Sequence, residues 1–261
     1  MILGYIGALI VGLTLGLLGG GGSILTVPIL VYLLAVNPVV ATGYSLFVVG
    51  TTSLVGAIRN MVKGMVDVKV AVIFAIPSFI AVYLTRRYLV PSIPETIFSI
   101  DAFVLTKDLA IMLFFAIIML AASYSMIKGK KETESAKQKK LNVPLIFLEG
   151  TLVGVLTGIV GAGGGFLIIP VLVLFANLPM KRAVATSLLI IAAKSLIGFI
   201  GDIQNLDIDW HFLLTFSGIS ILGIFIGIYL NRFFDGKSLK KAFGWFVLLM
   251  GVYIIIKELF Y

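Results

Sequence analysis

Residues 15–30 read LGLLGGGGSILTVPIL, and residues 157–172 read TGIVGAGGGFLIIPVL. Each stretch is an apolar run interrupted by glycines and closed by a proline. Consecutive glycines and a proline oppose continuous helix, because glycine loses the most backbone entropy and proline lacks the N–H. As a straight helix, the apolar run 3–36 would reach about 51 Å at about 1.5 Å per residue. A hydrocarbon core is about 30 Å thick. The run must therefore turn back or break.

The remainder of the chain has the same solvent preference. Of 261 residues, 60% are hydrophobic and 12% charged, and mean hydropathy is +1.16. An ordinary soluble domain is roughly a quarter charged. A water-soluble fold could not hide this much apolar surface, and intrinsic disorder is excluded on the same ground. No Asp, Glu, Lys or Arg occurs in residues 1–58, 70–85, 109–127, 150–180, 195–201 or 210–231. Continuous apolar runs of about 20 residues span a bilayer as helices, whereas an outer-membrane barrel alternates over segments of about 10. The expected fold is an all-α polytopic membrane protein of the cell (inner) membrane. The start, Met1-Ile2-Leu3-Gly4-Tyr5, has no basic stretch and reads as the first membrane segment, not a signal peptide.

There is no cysteine and one histidine, His211. Disulfides, zinc–thiolate sites and thiol catalysis are out. No metal, no cofactor and no enzymatic activity is expected, since clustered His, Asp, Glu and Cys are missing. Net charge is +8, with the excess in the connections. In a membrane protein this reports orientation, not nucleic acid.

A shift of 142 residues superposes the two glycine stretches. Gly16, Gly19, Gly21, Gly22 and Pro28 fall on Gly158, Gly161, Gly163, Gly164 and Pro170; Ser45, Ser53 and Asp67 fall on Ser187, Ser195 and Asp209. A proline, two serines, an aspartate and ordered glycines in one ungapped register indicate duplication. Residues 1–127 form the first repeat and 143–261 the second. Residues 128–142, with six lysines and two glutamates, form a basic cytoplasmic linker. Each repeat holds five segments: 3–18, 23–36, 42–60, 68–90 and 106–127, then 145–160, 165–178, 183–201, 210–231 and 242–259.

The positive-inside rule chooses between a returning hairpin and one crossing at each break. With hairpins the second repeat is inverted, and 15 Lys and Arg lie inside against 4 outside. With single crossings the repeat is parallel, and the count is 10 against 9. The expectation is two inverted repeats, each opening with a glycine-broken helical hairpin, and both termini outside. Arg86 and Arg87 then count as outer charges, Arg59 and Asp202 as interfacial, and His211 beside Trp210 as an interface anchor. Glu149 is expected to face the linker lysines.

Irregular backbone at membrane depth is tolerated where it lines a cavity, and paired broken helices in inverted repeats are a transporter signature. A new helix is expected to begin at Ser23 and at Gly165, offering free N–H groups to an anion. Gly19, Gly20, Gly21, Gly22 and Ser23, with Gly161, Gly163, Gly164 and Gly165, are the candidate ligand-binding backbone. Lys194 lies mid-membrane with no acidic residue within seven positions, at a cost of about 2.5–3.5 kcal/mol on insertion scales. Its repeat mate is Thr52, between Thr51 and Ser53. Lys194 and Ser195 facing these three hydroxyls would make an oxyanion cage, with Ser45, Thr186 and Ser187 about two turns away.

The two glycine stretches, followed by ATGYSL (41–46) and AVATSLL (183–189), resemble the sulfite exporter TauE/SafE family, also called the toluene-sulfonate uptake permease family. The resemblance covers almost the whole chain. It implies secondary transport of a small sulfur-containing anion: sulfite, thiosulfate or an organosulfonate. Tyr44 departs from the pattern, standing where the second copy has Thr186. The expected partners are such an inorganic or organic anion, the lipid bilayer and a coupling proton, with no nucleic acid. An anion channel, or a transporter of an unrelated small solute, is the alternative. A cation transporter would want acidic groups in the charge-free runs, which hold none.

The topology is testable by single-cysteine labelling of this cysteine-free chain. A cysteine at Ser135 should react from the cytoplasmic side only, and cysteines at Met1 and Asn37 from one common side. Labelling Met1 and Asn37 from opposite sides overturns the hairpin arrangement.

Overall fold

The computed structural model describes residues 2–100, 103–128, 143–161, 163–174, 176, 178–231, 233 and 236–260. Most of the basic linker, 129–142, lies outside the described residues. Helix α1 (Ile2–Leu18) runs into a 3-10 turn (Gly19–Leu25), a short α2 (Thr26–Pro28) and a π-helical turn (Ile29–Leu33). Then come α3 (Pro38–Val62) and α4 (Val68–Leu84), which continues through a second π-helical turn (Thr85–Leu89) into α5 (Val90–Ser92). A hairpin of β1 (Thr96–Ile100) and β2 (Phe103–Thr106) precedes α6 (Lys107–Lys128). The second part comprises α7 (Val143–Val160), α8 (Gly165–Leu174), α9 (Met180–Asp202), α10 (Trp210–Leu230) and α11 (Gly236–Phe260). Among the described residues, four helices are long and apolar enough to cross a membrane: Pro38–Val62, Val68–Ser92, Lys181–Asp202 and Trp210–Leu230. Leu3–Leu18, Gly22–Leu33 and Pro144–Val160 are shorter apolar helices.

Local sequence sets the helix starts. Asn37 caps α3, accepting from the N–H groups of Val39 and Val40, with Pro38 in the first turn where a missing N–H costs nothing. Asp67 caps α4 through Val70 N–H, and Asp209 caps α10 through Phe212 N–H. A neighbouring helix holds each of the two aspartates. Tyr44 Oη accepts from Asp209 N–H at 2.7 Å, and Thr186 Oγ1 accepts from Asp67 N–H at 2.9 Å. Tyr44 and Thr186 are repeat mates, so the departure noted in the sequence preserves one structural contact.

Glycine governs the packing. Helix α1 lies against α10, and α4 against α7. A methyl at Gly12 would land on Ser220 O and one at Gly227 on Leu13 O; one at Gly154 would land on Ser78 O. Small residues let helix backbones approach where lipid supplies no hydrophobic drive between helices. Helices α3 and α9 cross antiparallel, with Gly43 against Asp202 and Gly50 against Leu196. Helix α6 packs on α11, and α8 on the first 3-10 turn. Under the 142-residue shift, the α1–α10 pair maps onto α7–α4, and α3 maps onto α9.

The exterior is apolar and the interior carries the hydroxyls. Ile6 and Ile10 on α1, Ile76 and Ile80 on α4, and Leu222 and Phe225 on α10 are exposed, as lipid contact requires. Trp210 packs on Phe47 and Phe199, while His211 is exposed. The β-hairpin was not anticipated: the sequence reading leaves 91–105 as a connection. Thr96–Ile100 and Phe103–Thr106 are rich in the β-branched and aromatic residues that favour strands.

Gly12→Ala and Gly154→Ala should each lower thermal stability in detergent, by about 1–3 kcal/mol as overpacking does. Gly218 has nothing within 4 Å of an added methyl. Gly218→Ala should hold or raise the melting temperature, because alanine is the better helix former.

Candidate functional site

The second glycine stretch makes a true break. Helix α7 ends at Val160, and Gly161 N–H returns to Thr157 O at 2.8 Å. Gly161, Gly163 and Gly164 have φ of 70°, 63° and 67°, a region that costs other L-residues roughly 1–2 kcal/mol. Helix α8 then starts at Gly165 as expected. The first stretch behaves differently. Only Gly19 has positive φ there, and the chain winds on as 3-10 helix through Leu25. Ser23 is therefore no helix start; it sits within the turn, its hydroxyl donating to Gly20 O at 2.7 Å. Four glycines without side chains offer no resistance to this tighter winding.

The two stretches touch. A methyl on Gly165 would land on Gly20 Cα, and one on Gly163 would come within 3.3 Å of Ser23 Oγ. Gly19 lies against Val184 of α9, and Gly161 against Thr42 of α3. Gly22 turns back on Thr14 and Leu15 of its own α1. Gly21 continues the 3-10 turn.

Lys194 reaches this junction. It is fully buried, and its Nζ donates to Thr157 Oγ1 at 2.6 Å. The Thr157 hydroxyl in turn donates to Val153 O. A methyl on Gly164 would sit 2.8 Å from the same Nζ. No carboxylate pairs with Lys194 among the described residues, where the ion pairs are Arg86–Asp202 and Lys107–Glu95. A buried lysine amine thus stands beside glycine backbone of left-handed conformation, with one neutral hydrogen-bond partner among the described residues.

The expected hydroxyl cage is not assembled around it. Thr52 stands near the level of Lys194 where α3 and α9 cross, but its hydroxyl bonds Ser220 on α10 at 3.1 Å. Thr51 bonds the Phe47 and Val48 carbonyls, Ser187 bonds Val184 O, and Thr186 holds the Asp67 N–H. Hydroxyls on a helix reach the carbonyls one turn back at little cost, which is where those of Thr51 and Ser187 went. Ser45, Ser53 and Ser195 are fully buried, and their hydroxyls have no hydrogen-bond partner among the described residues. So is Ser78, the repeat mate of Ser220, on the helix that packs against α7 and α9.

Two residues expected at the outer rim are interior. Arg86 is fully buried and Asp202 nearly so. Arg86 Nε donates to Asp202 Oδ2 at 2.7 Å, and Nη1 donates to Thr42 Oγ1 at 3.0 Å. The π-helical turn Thr85–Leu89 widens α4 there, a feature often found at functional sites. Arg87 is half-buried and donates to Gln204. Glu149 is half-buried on α7, with Oε2 buried and lacking a hydrogen-bond partner among the described residues; of the linker lysines expected opposite it only Lys128 is described, and it donates to Tyr124 Oη.

The repeat register marks Thr157, which the sequence alone does not single out. Lys194 replaces Thr52 and Thr157 replaces Leu15, and these two departures from symmetry meet in one hydrogen bond. Arg86 replaces Ile228 and Asp202 replaces Asn60, and they too meet.

Long apolar helices around two meeting glycine stretches and a buried lysine define a multi-pass protein of the cell membrane with a polar centre. Residues 5–254 match the family described as Sulfite exporter TauE/SafE, and the chain belongs to that family of membrane transporters. A "probable membrane transporter protein" of Xylella fastidiosa strain 9a5c is 31% identical over 94% of this chain and 91% of its own length. A "probable membrane transporter protein YunE" of Bacillus subtilis is 28% identical over 97% of this chain and 96% of its own. No solved structure matches the chain.

Gly164→Ala should leave the protein expressed but cut its transport at least tenfold, since the methyl would strike Thr157 and crowd Lys194 Nζ. Gly64 shares the positive φ, at 64°, with open space around it. Gly64→Ala therefore reports the conformational cost alone and should transport normally.

Proposed function

We propose that the protein is a secondary transporter of a small sulfur-containing oxyanion, sulfite, thiosulfate or an organosulfonate, bound where the glycine stretches meet Lys194. One observation carries this reading: a fully buried lysine whose hydrogen-bond partner among the described residues is a neutral threonine. An unpaired buried charge is costly, and an intramembrane lysine marks a functional site by default. An arriving anion would supply the missing charge. The N–H groups around Gly163 and Gly164 would add donors, as successive backbone amides do in anion nests. The unpaired hydroxyls of Ser195 and Ser78 are further donors near the same helices.

The packing supports inverted repeats as the frame for this site. Helix α3 and its repeat mate α9 run antiparallel, and each first helix packs on the other repeat's fourth. In such frames the substrate sits between the halves, and alternating access comes from rocking one against the other. Loss of a proton from Lys194 would neutralise the site as anion arrival does, which makes proton-coupled movement the natural driving scheme. The chain has no nucleotide-binding motif for ATP hydrolysis.

Counterflow of labelled sulfite, thiosulfate and methanesulfonate in proteoliposomes, with and without a pH gradient, tests the reading. Wild type should show saturable counterflow. Lys194→Gln, which keeps length and a donor, should lose affinity at least tenfold; Lys194→Met should lose more, and its residual uptake should not respond to pH. Wild-type behaviour in both variants overturns the role of Lys194, and unsaturable flux identifies a channel.

A further inference from the structure

The Arg86–Asp202 pair borders a cavity of about 220 Å³, lined in part by Lys107, Asn205 and Val90. At about 30 Å³ per water, this holds about seven waters, or a small oxyanion with part of its hydration. The cavity lies where α3 begins and α4 and α9 end, away from Lys194. Arg86 is fully buried. Its Nη2 lies 2.6 Å from Asp202 Oδ2 but out of line for a hydrogen bond, and has no other partner among the described residues. Lys107 is 7% exposed, and its nearest acid, Glu95, is 3.9 Å away and 88% exposed at the side chain. So long and solvated a pair is weak. The wall therefore presents two cations against one internal carboxylate, with an unused guanidinium N–H.

Asp202 is the last residue of α9, the helix that carries Lys194. The ion pair ties that helix to the π-helical turn after α4. Gly43 gives the pair its room: a methyl there would sit 3.0 Å from both Arg86 Nη2 and Asp202 Oδ2. The repeat mates of the pair are Ile228 and Asn60, so the other end of the bundle has no such tie.

We propose that this cavity is an anion-entry site, in which an incoming oxyanion displaces Asp202 from Arg86 and so frees the end of α9. This rests on the anion-transport reading above. A guanidinium matches an oxyanion's paired oxygens as it matches a carboxylate's, and Lys107 adds a point charge that no strong partner already occupies. Asp202 is then an internal competitor for the cargo.

The test uses the full-length chain carrying Lys194→Met and Trp245→Phe, so that the central amine is absent and Trp210 is the sole reporter. Trp210 packs on Phe199 of α9. Sulfite is titrated at constant ionic strength, with chloride as the control. We expect a saturable change in Trp210 emission with sulfite only. Asp202→Asn should tighten the apparent Kd at least threefold, because it removes the competing charge and keeps an acceptor for Arg86. Lys107→Gln should weaken it at least threefold. No saturable signal, or unchanged affinity in both variants, overturns the proposal. A merely structural ion pair predicts weaker or unaltered binding in Asp202→Asn, which also overturns it. If sulfite counterflow is lost in Lys194→Met while the cavity fails to respond, the entry site alone falls. If counterflow survives that variant and the cavity responds as expected, the role of Lys194 falls and the entry site stands.

Discussion

No side chain fits between Gly20 and Gly165, and the centre of the molecule is built on that fact. Two stretches of backbone meet there directly, with Ser23 and Gly163 alongside. The same close approach recurs outward along α1 and α10 and along α4 and α7, where glycines face carbonyl groups. In a bilayer, packing and polar contacts hold helices together because lipid is as apolar as leucine. Glycine thus does in this fold what buried leucines do in water.

The interior holds two fully buried cations in contrasting surroundings. Arg86 has a carboxylate and a hydroxyl, so its charge is answered within the protein. Lys194 has a hydroxyl alone among the described residues. Pairing satisfies a charge but also spends it on structure, whereas a neutral partner orients an ammonium and leaves its charge available. The two sites lie on α9, about two turns apart in sequence, so an event at one is mechanically close to the other.

Helix positions were legible because apolar runs and caps are local signals. The ten expected segments coincide with helical elements, and Asp67 and Asp209 begin α4 and α10 as their places in the repeat imply. The site was legible only in part. Lys194 stood out because a charge in an apolar run is conspicuous. Its partner did not, since Thr157 looks like any membrane threonine until the second copy shows Leu15 in its place. Arg86 was assigned to the outer rim because charge counting assumes that residues near segment ends face water; the π-helical turn, which sequence periodicity does not reveal, carries it inward. The Thr51 and Thr52 hydroxyls bond elsewhere for a related reason. Repeat symmetry relates positions, not the directions in which side chains point.

The pairing of α1 with α10 has a consequence for biosynthesis. Helix α1 leaves the ribosome well before α10, and the face that carries Gly12 and Gly16 closes on that helix, made some two hundred residues later. Contacts so distant along the chain form slowly and leave unfilled surfaces exposed in the interval. During that interval the face around Gly12 lacks the helix that fills it in the finished fold. A chain truncated before α10 leaves α1 without its seat, so the first half does not constitute a self-sufficient folding unit. Quality control that recognises an open glycine groove would read it as the mark of an unfinished molecule.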